Sequence, residues 1–121
     1  MATEPPAGTR VLIVEDETII AMTAEDMLEE VGCTTVAIAA NVDEALARTE
    51  DTEFDIALLD LNLGSENSLA VAHVLRESGR RFLFATGYEG LPPGSGFDNA
   101  PVIAKPYRLD QLASAIAAAL A

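Results

Sequence analysis

Ile56-Ala57-Leu58-Leu59-Asp60 is a run of four apolar residues closed by an acid, and it decides the fold. An unbroken apolar run of that length, bounded by polar residues, reads as a strand buried on both faces, as in parallel sheets. Three other runs have the same form: Val11-Leu12-Ile13-Val14 before Glu15-Asp16, Phe82-Leu83-Phe84-Ala85 before Thr86, and Val102-Ile103-Ala104 before Lys105. In an open parallel sheet, ligands bind beyond the carboxyl ends of the strands. The pattern therefore gathers three carboxylates, a hydroxyl and an amine at one sheet edge. That set suits a hard cation and a phosphoryl group. Lys105 is the only lysine in the chain and stands directly before Pro106, an unusual place for a residue whose sole task is solubility.

Helical signals separate these strands. Ile20, Ala24, Met27, Leu28 and Val31 form a stripe at helical spacing, and Gly32 is a suitable stop. Cys33 to Ile38 reads as a second strand. Asn41-Val42-Asp43-Glu44 has the form of an N-cap with an acid three residues on, opening a helix to about Glu50. A strand over 54–59, a polar loop over 62–67, a helix over 67–78 and a strand over 81–85 follow. Gly87 to Ala100 contains Gly90, Pro92, Pro93, Gly94 and Gly96, which no regular helix tolerates. At most a turn near Leu91 is expected there, with the rest irregular and mobile. Leu109, Leu112, Ile116 and Leu120 mark a last helix. The sum is a doubly wound (βα)5 parallel sheet, an α/β fold whose fourth helix is short or disordered.

With 121 residues, the chain is sized for one domain, read as residues 10–121 after a disordered lead over 1–9. Its formal net charge is -13, from 20 acids against 7 bases. That excess argues against nucleic acid and against anionic membrane surfaces, both of which call for Lys and Arg. Most of the acids serve as solvated helix faces; Glu17 and Glu66 are read so, and His73 is read as a surface histidine. One cysteine, Cys33, leaves no intramolecular disulfide or cysteine metal site and reads as a small core residue. No run approaches the ~20 apolar residues of a membrane span, and the N-terminus lacks the basic start and apolar core of a signal peptide. A cytoplasmic protein is expected.

Val14-Glu15-Asp16-Glu17, Leu58-Leu59-Asp60-Leu61-Asn62-Leu63, Thr86 and Lys105-Pro106, in that order at four strand ends, resemble the receiver domain of bacterial two-component response regulators. The resemblance runs from about Arg10 to Leu120. It implies the flavodoxin-like sheet with strand order 2-1-3-4-5, and a protein that is not an enzyme in the turnover sense. Asp60 would be the phosphoacceptor. Mg²⁺, with Mn²⁺ or Ca²⁺ as substitutes, would sit on Glu15, Asp16, Asp60 and the backbone carbonyl of Asn62. Lys105 would pair with one phosphoryl oxygen and Thr86 would donate its hydroxyl to another. The Lys105-Pro106 bond is typically cis in this family. Each residue has a plainer alternative: Asp16 as a helix cap, Asp60 as a turn former, Thr86 bonded to its own backbone, Lys105 as a solvated charge. Their joint placement on one edge favours the site.

Phe84-Ala85-Thr86-Gly87-Tyr88 resembles the FATGUY group of response regulators, many of them stand-alone receivers. Arg81 stands where that group usually has proline, and Leu63-Gly64 replaces a common Met-Pro. At the position where most receivers carry a switching Tyr or Phe, this chain has Val102, which has no ring to swing and is stiff about χ1. The alternative is that segment 87–100 orders or shifts as Thr86 moves, with Gly87, Tyr88, Val102, Pro106 and Tyr107 as switch or partner residues. No linker follows the last helix, so a stand-alone receiver is expected, phosphorylated by a histidine kinase, of HWE type by the FATGUY resemblance, or by a phosphotransfer protein. Its output would pass through the 87–121 face to an unnamed downstream protein. A phosphate sink or docking pseudo-receiver is the alternative. An aspartyl-nucleophile phosphatase is disfavoured because Asn62 replaces the acid such enzymes need two residues after the nucleophile. A flavin carrier is disfavoured because Glu15-Asp16-Glu17 would repel a phosphate.

Overall fold

The computed structural model describes residues 4–87, 90–97 and 99–121. Tyr88, named above as a switch residue, lies outside them. The elements run in the order β1 (Arg10–Val14), α1 (Thr18–Glu30), β2 (Thr34–Ala39), α2 (Val42–Asp51), β3 (Ile56–Asp60), β4 (Asn62–Leu63), β5 (Glu66–Asn67), α3 (Leu69–Glu77), β6 (Arg81–Thr86), β7 (Val102–Ala104) and α4 (Leu109–Leu120). The main sheet has the order β2-β1-β3-β6-β7, and every pairing in it is parallel. This is the 2-1-3-4-5 order of the sequence reading, with β6 and β7 as the fourth and fifth main strands.

Alternation along the strands explains why both faces are dry. Val11, Ile13, Ile56, Leu58, Leu83 and Ala85 point to the side covered by Ala21, Ala24 and Leu28 of α1 and Leu112 and Ile116 of α4. Their neighbours Leu12, Val14, Ala57, Leu59 and Phe84 point to the other side, against Ala45 of α2 and Val71, Ala72 and Leu75 of α3. Cys33 is buried, just before β2. None of the described helices is long and apolar enough to cross a membrane.

Two stretches differ from the sequence reading. The polar loop after Asp60 contains a two-strand hairpin, β4–β5, paired Asn62↔Asn67 and Leu63↔Glu66. Its turn is Gly64-Ser65, and Gly64 has φ +74, the conformation a tight two-residue hairpin turn asks of its first residue. The lead over 1–9 carries no helix or strand among its described residues, but Gly8 N–H donates to Gly32 C=O at 2.8 Å and Thr9 Oγ1 donates to Pro6 C=O at 2.6 Å.

The segment expected to lack a fourth helix has none among its described residues. It is nevertheless anchored. Phe97 is 3% exposed and packs edge-on against Phe82 and Phe84 at 5.8 and 5.5 Å. Arg76 of α3 lies 4.3 Å over the Phe97 ring and donates to Gly96 C=O at 2.9 Å. Among the described residues, the Phe97 ring and Arg76 thus cover this side of the sheet, with Leu91 and Ala100 packed against the same core.

Candidate functional site

Parallel strands β1, β3 and β6 end side by side, in register Val14↔Leu59 and Asp60↔Ala85. Hence the residues just past each end share one edge. Glu15 and Asp60 are buried there, 2% and 5% exposed; Asp16 is exposed. One carboxylate oxygen from each of Glu15, Asp16 and Asp60 lies within 4.8 Å of the other two. Lys105 reaches the same point from the end of β7. Its Nζ donates to Glu15 Oε1 at 3.0 Å and stands 3.2 Å from Asp60 Oδ1. Its side chain is 16% exposed, so it is no solvated surface charge. The Lys105-Pro106 peptide is cis.

The electrostatics follow from burial and crowding. Desolvation raises the Glu15 pKa to about 7, with the neighbouring Asp60 carboxylate adding to the rise and the Lys105 hydrogen bond opposing it. Burial works against the Lys105 ammonium, but Glu15 and Asp60 outweigh it and its pKa is raised. Tyr107, buried below the site, is raised first by desolvation and then by the charges of Glu15 and Asp60. Two buried carboxylates facing one ammonium leave negative charge in excess. All three carboxylates offer hard oxygen donors. That donor set fits a small divalent cation, which would complete the charge balance.

The helix-cap alternative for Asp16 does not hold: the N-cap of α1 is Glu17, no side chain caps that helix, and the Glu17 N–H donates to Glu15 Oε2 at 3.2 Å. The plainer alternative for Thr86 is the one seen. Its hydroxyl, 3% exposed with its residue, donates to Gly87 C=O at 2.9 Å. Its backbone carbonyl accepts the Lys105 N–H at 2.8 Å. Val102 lies exposed on edge strand β7. Asn62 opens β4, one residue beyond Leu61, whose N–H donates to Ala85 C=O.

Three residues near the edge make contacts that the sequence reading did not anticipate. Gly64 sits against Asp16: a Cβ there would be 3.8 Å from Asp16 Oδ2. Glu66 is exposed as expected, yet its Oε1 accepts the Val42 N–H at 3.0 Å. Ser68, fully buried, has a hydroxyl without a partner among the described residues. The Gly-Ser pair at 64–65 between Leu63 and Glu66 was a usable hairpin signal; nothing in the sequence pointed to the Glu66–Val42 bond.

Fold and edge together define a receiver-type α/β domain. Residues 11–117 match the family described as "Response regulator receiver domain", and the chain belongs to that family. SdrG from Sphingomonas melonis Fr1 is similar over the full length of both chains, with 42% identity and a TM-score of 0.82. The BeF3-activated conformation of SdrG from Pseudomonas melonis Fr1 is 44% identical, covers 95% of this chain and 98% of that one, and has a TM-score of 0.77. The phyllosphere-induced regulator PhyR of Methylorubrum extorquens is 32% identical over 117 residues, which are 93% of this chain. The chain spans 44% of that relative's length.

Proposed function

We propose that the chain is a cytoplasmic signalling switch that accepts a phosphoryl group on Asp60 from a histidine kinase, of HWE type by resemblance, or from a phosphotransfer protein. One observation carries the reading. The Lys105 ammonium is held between Glu15 and Asp60, at 3.0 and 3.2 Å, beside three carboxylates with oxygens within 4.8 Å of one another. Such an arrangement is costly for a fold to keep unless charge arrives there.

Glu15, Asp16, Asp60 and the Asn62 carbonyl would hold Mg²⁺, or Mn²⁺ or Ca²⁺ in its place. When bound, the ion neutralises phosphoryl oxygens as they approach the carboxylates. A carboxylate is a poor nucleophile, so Asp60 depends on alignment and charge neutralisation rather than on a base. An Asp60 oxygen bonds to phosphorus as the donor's bond to phosphorus breaks. Lys105 would leave Asp60 for a phosphoryl oxygen without leaving the site. Thr86 would give up its bond to Gly87 C=O to donate to another oxygen. Because that carbonyl opens segment 87–100, the exchange would release the segment's first residue. Gly87, Tyr88, Val102, Pro106 and Tyr107 then belong to the altered 87–121 face that meets a downstream protein. Neither nucleic acid nor a membrane is a partner in this reading, given the net charge of -13.

The test is intact mass after incubation with Mg²⁺ and acetyl phosphate. Gain of one phosphoryl group by the wild type, absent in Asp60→Ala and abolished by chelator, is the expected result. Equal gain in Asp60→Ala would overturn the assignment.

A further inference from the structure

Glu66 Oε1 and the Val42 N–H meet at 3.0 Å although 24 residues separate them in sequence. Val42 opens α2, and the first N–H groups of a helix have no acceptor within it. One acceptor is local: Asn41 Oδ1 takes the Glu44 N–H at 2.8 Å, while Glu44 Oε1 reaches back to the Ala40 N–H, ahead of the N-cap, at 2.9 Å. Glu66 is a second, and it comes from the hairpin that follows Asp60. A carboxylate at a helix N-terminus is also favoured by the helix dipole.

The hairpin has one task in view. Asn62 opens it, and its Gly64 turn lies against the Asp16 carboxylate. Its base is fixed by Leu61 N–H to Ala85 C=O and by Ser68 N–H to Leu61 C=O, both 3.0 Å. Leu63 is buried beneath it. Two strands of two residues are marginal without outside support, and the Glu66 side chain supplies a bond from the far strand to a separate helix.

We propose that Glu66 is a positioning residue: its bond to Val42 holds the hairpin in the form in which Asn62 and Asp16 receive the cation, and so couples cation binding to the start of α2. The inference rests on the reading of Glu15, Asp16, Asp60 and Asn62 as the cation site. Coupling between two sites is reciprocal. The cation should therefore slow hydrogen exchange of the Val42 amide, and loss of the tether should weaken the cation.

The experiment titrates Mg²⁺ alone into wild type, Glu66→Gln and Glu66→Ala, following backbone amides by NMR, with Val42 exchange measured with and without the ion. Glutamine keeps an acceptor oxygen but loses the charge; alanine loses both. Glu66 is exposed, so neither change touches the core. Expected are wild-type affinity within about twofold in Glu66→Gln, an affinity about tenfold weaker in Glu66→Ala, and Mg²⁺-dependent protection of Val42 that only Glu66→Ala loses. Equal weakening in both variants would mean bulk charge alone and would overturn the proposal, as would unchanged affinity in Glu66→Ala. Absence of Mg²⁺ binding by the wild type would overturn the cation site itself, a failure visible before any variant is compared.

Discussion

Glu15 is buried at the site edge, bonded to Lys105 and crowded by Asp60. Burial, then Asp60, lifts its pKa from 4.5 to about 7. Between those values the folded state holds a proton that the unfolded chain has released. Stability of the metal-free fold therefore falls as pH rises through that window. A cation competes with the same proton, so the sign for binding is opposite: affinity rises with pH until about 7 and then levels. We expect Mg²⁺ to bind about tenfold more weakly at about pH 6 than at about pH 8. Calorimetric titration at the two values checks it, and equal affinities would remove Glu15 from the ligand set. Asp60→Asn tests the crowding itself. An uncharged isostere leaves Lys105 with one buried carboxylate instead of two. Relief of that repulsion should stabilise the metal-free fold by about 1 kcal/mol, a Tm rise of about 4 °C, while the Mg²⁺-dependent gain of the wild type is lost. A lower Tm in Asp60→Asn would mean that the pair is net attractive.

At the scale of elements, the segment between β6 and β7 depends on Phe97. Its ring meets Phe82, Phe84 and His73, and Arg76 covers it. Phe97→Ala removes a fully packed aromatic, and we expect a loss of about 3–5 kcal/mol in urea unfolding, with faster exchange over 90–100. Phe97→Leu should cost about 1–2 kcal/mol, since much of the volume is kept. A loss below about 1 kcal/mol in Phe97→Ala would show that the segment is anchored elsewhere. This element also marks what was legible in the sequence. Strands β1, β3 and β6 were plain because an unbroken apolar run has few other readings; β7 has the same form but lies at the sheet edge with only Ile103 buried, and the residues that follow all four fell on one edge because parallel strands must end together. The Gly/Pro content of 87–100 argued against a helix, and its described residues hold none. It was not enough to find the plug, because one phenylalanine in an irregular segment has no period to betray it. The hairpin was missed for a related reason: four residues of strand are too few for alternation to register, and only Gly64-Ser65 spoke for it. Thr86 and Glu66 show the further limit. Their residue types suggested roles, but whether a hydroxyl turns to Gly87 or a carboxylate reaches Val42 depends on elements distant in sequence.

Charge sets the behaviour of the molecule as a whole. With 20 acids against 7 bases, self-repulsion opposes the compact state at neutral pH. Three of those acids meet at one edge with Lys105 as their nearby cation. Two kinds of cation effect should then separate cleanly. Monovalent salt screens the overall repulsion and raises Tm gradually, with no dependence on Asp16. A divalent ion that binds the edge stabilises by mass action instead, by about 2.7 kcal/mol when free ion is a hundredfold above its dissociation constant. Melting the wild type in Mg²⁺ and in NaCl of matched ionic strength should therefore give a larger rise in Mg²⁺, by about 10 °C at that saturation. Asp16→Asn is the discriminating variant, because Asp16 is exposed and its loss removes a ligand without opening the core. Its response to NaCl should match the wild type, and its extra response to Mg²⁺ should shrink by more than half. If Mg²⁺ and NaCl stabilise the wild type equally at matched ionic strength, the cluster acts only as part of the overall charge, and the cation-dependent chemistry assigned to Asp60 loses its support.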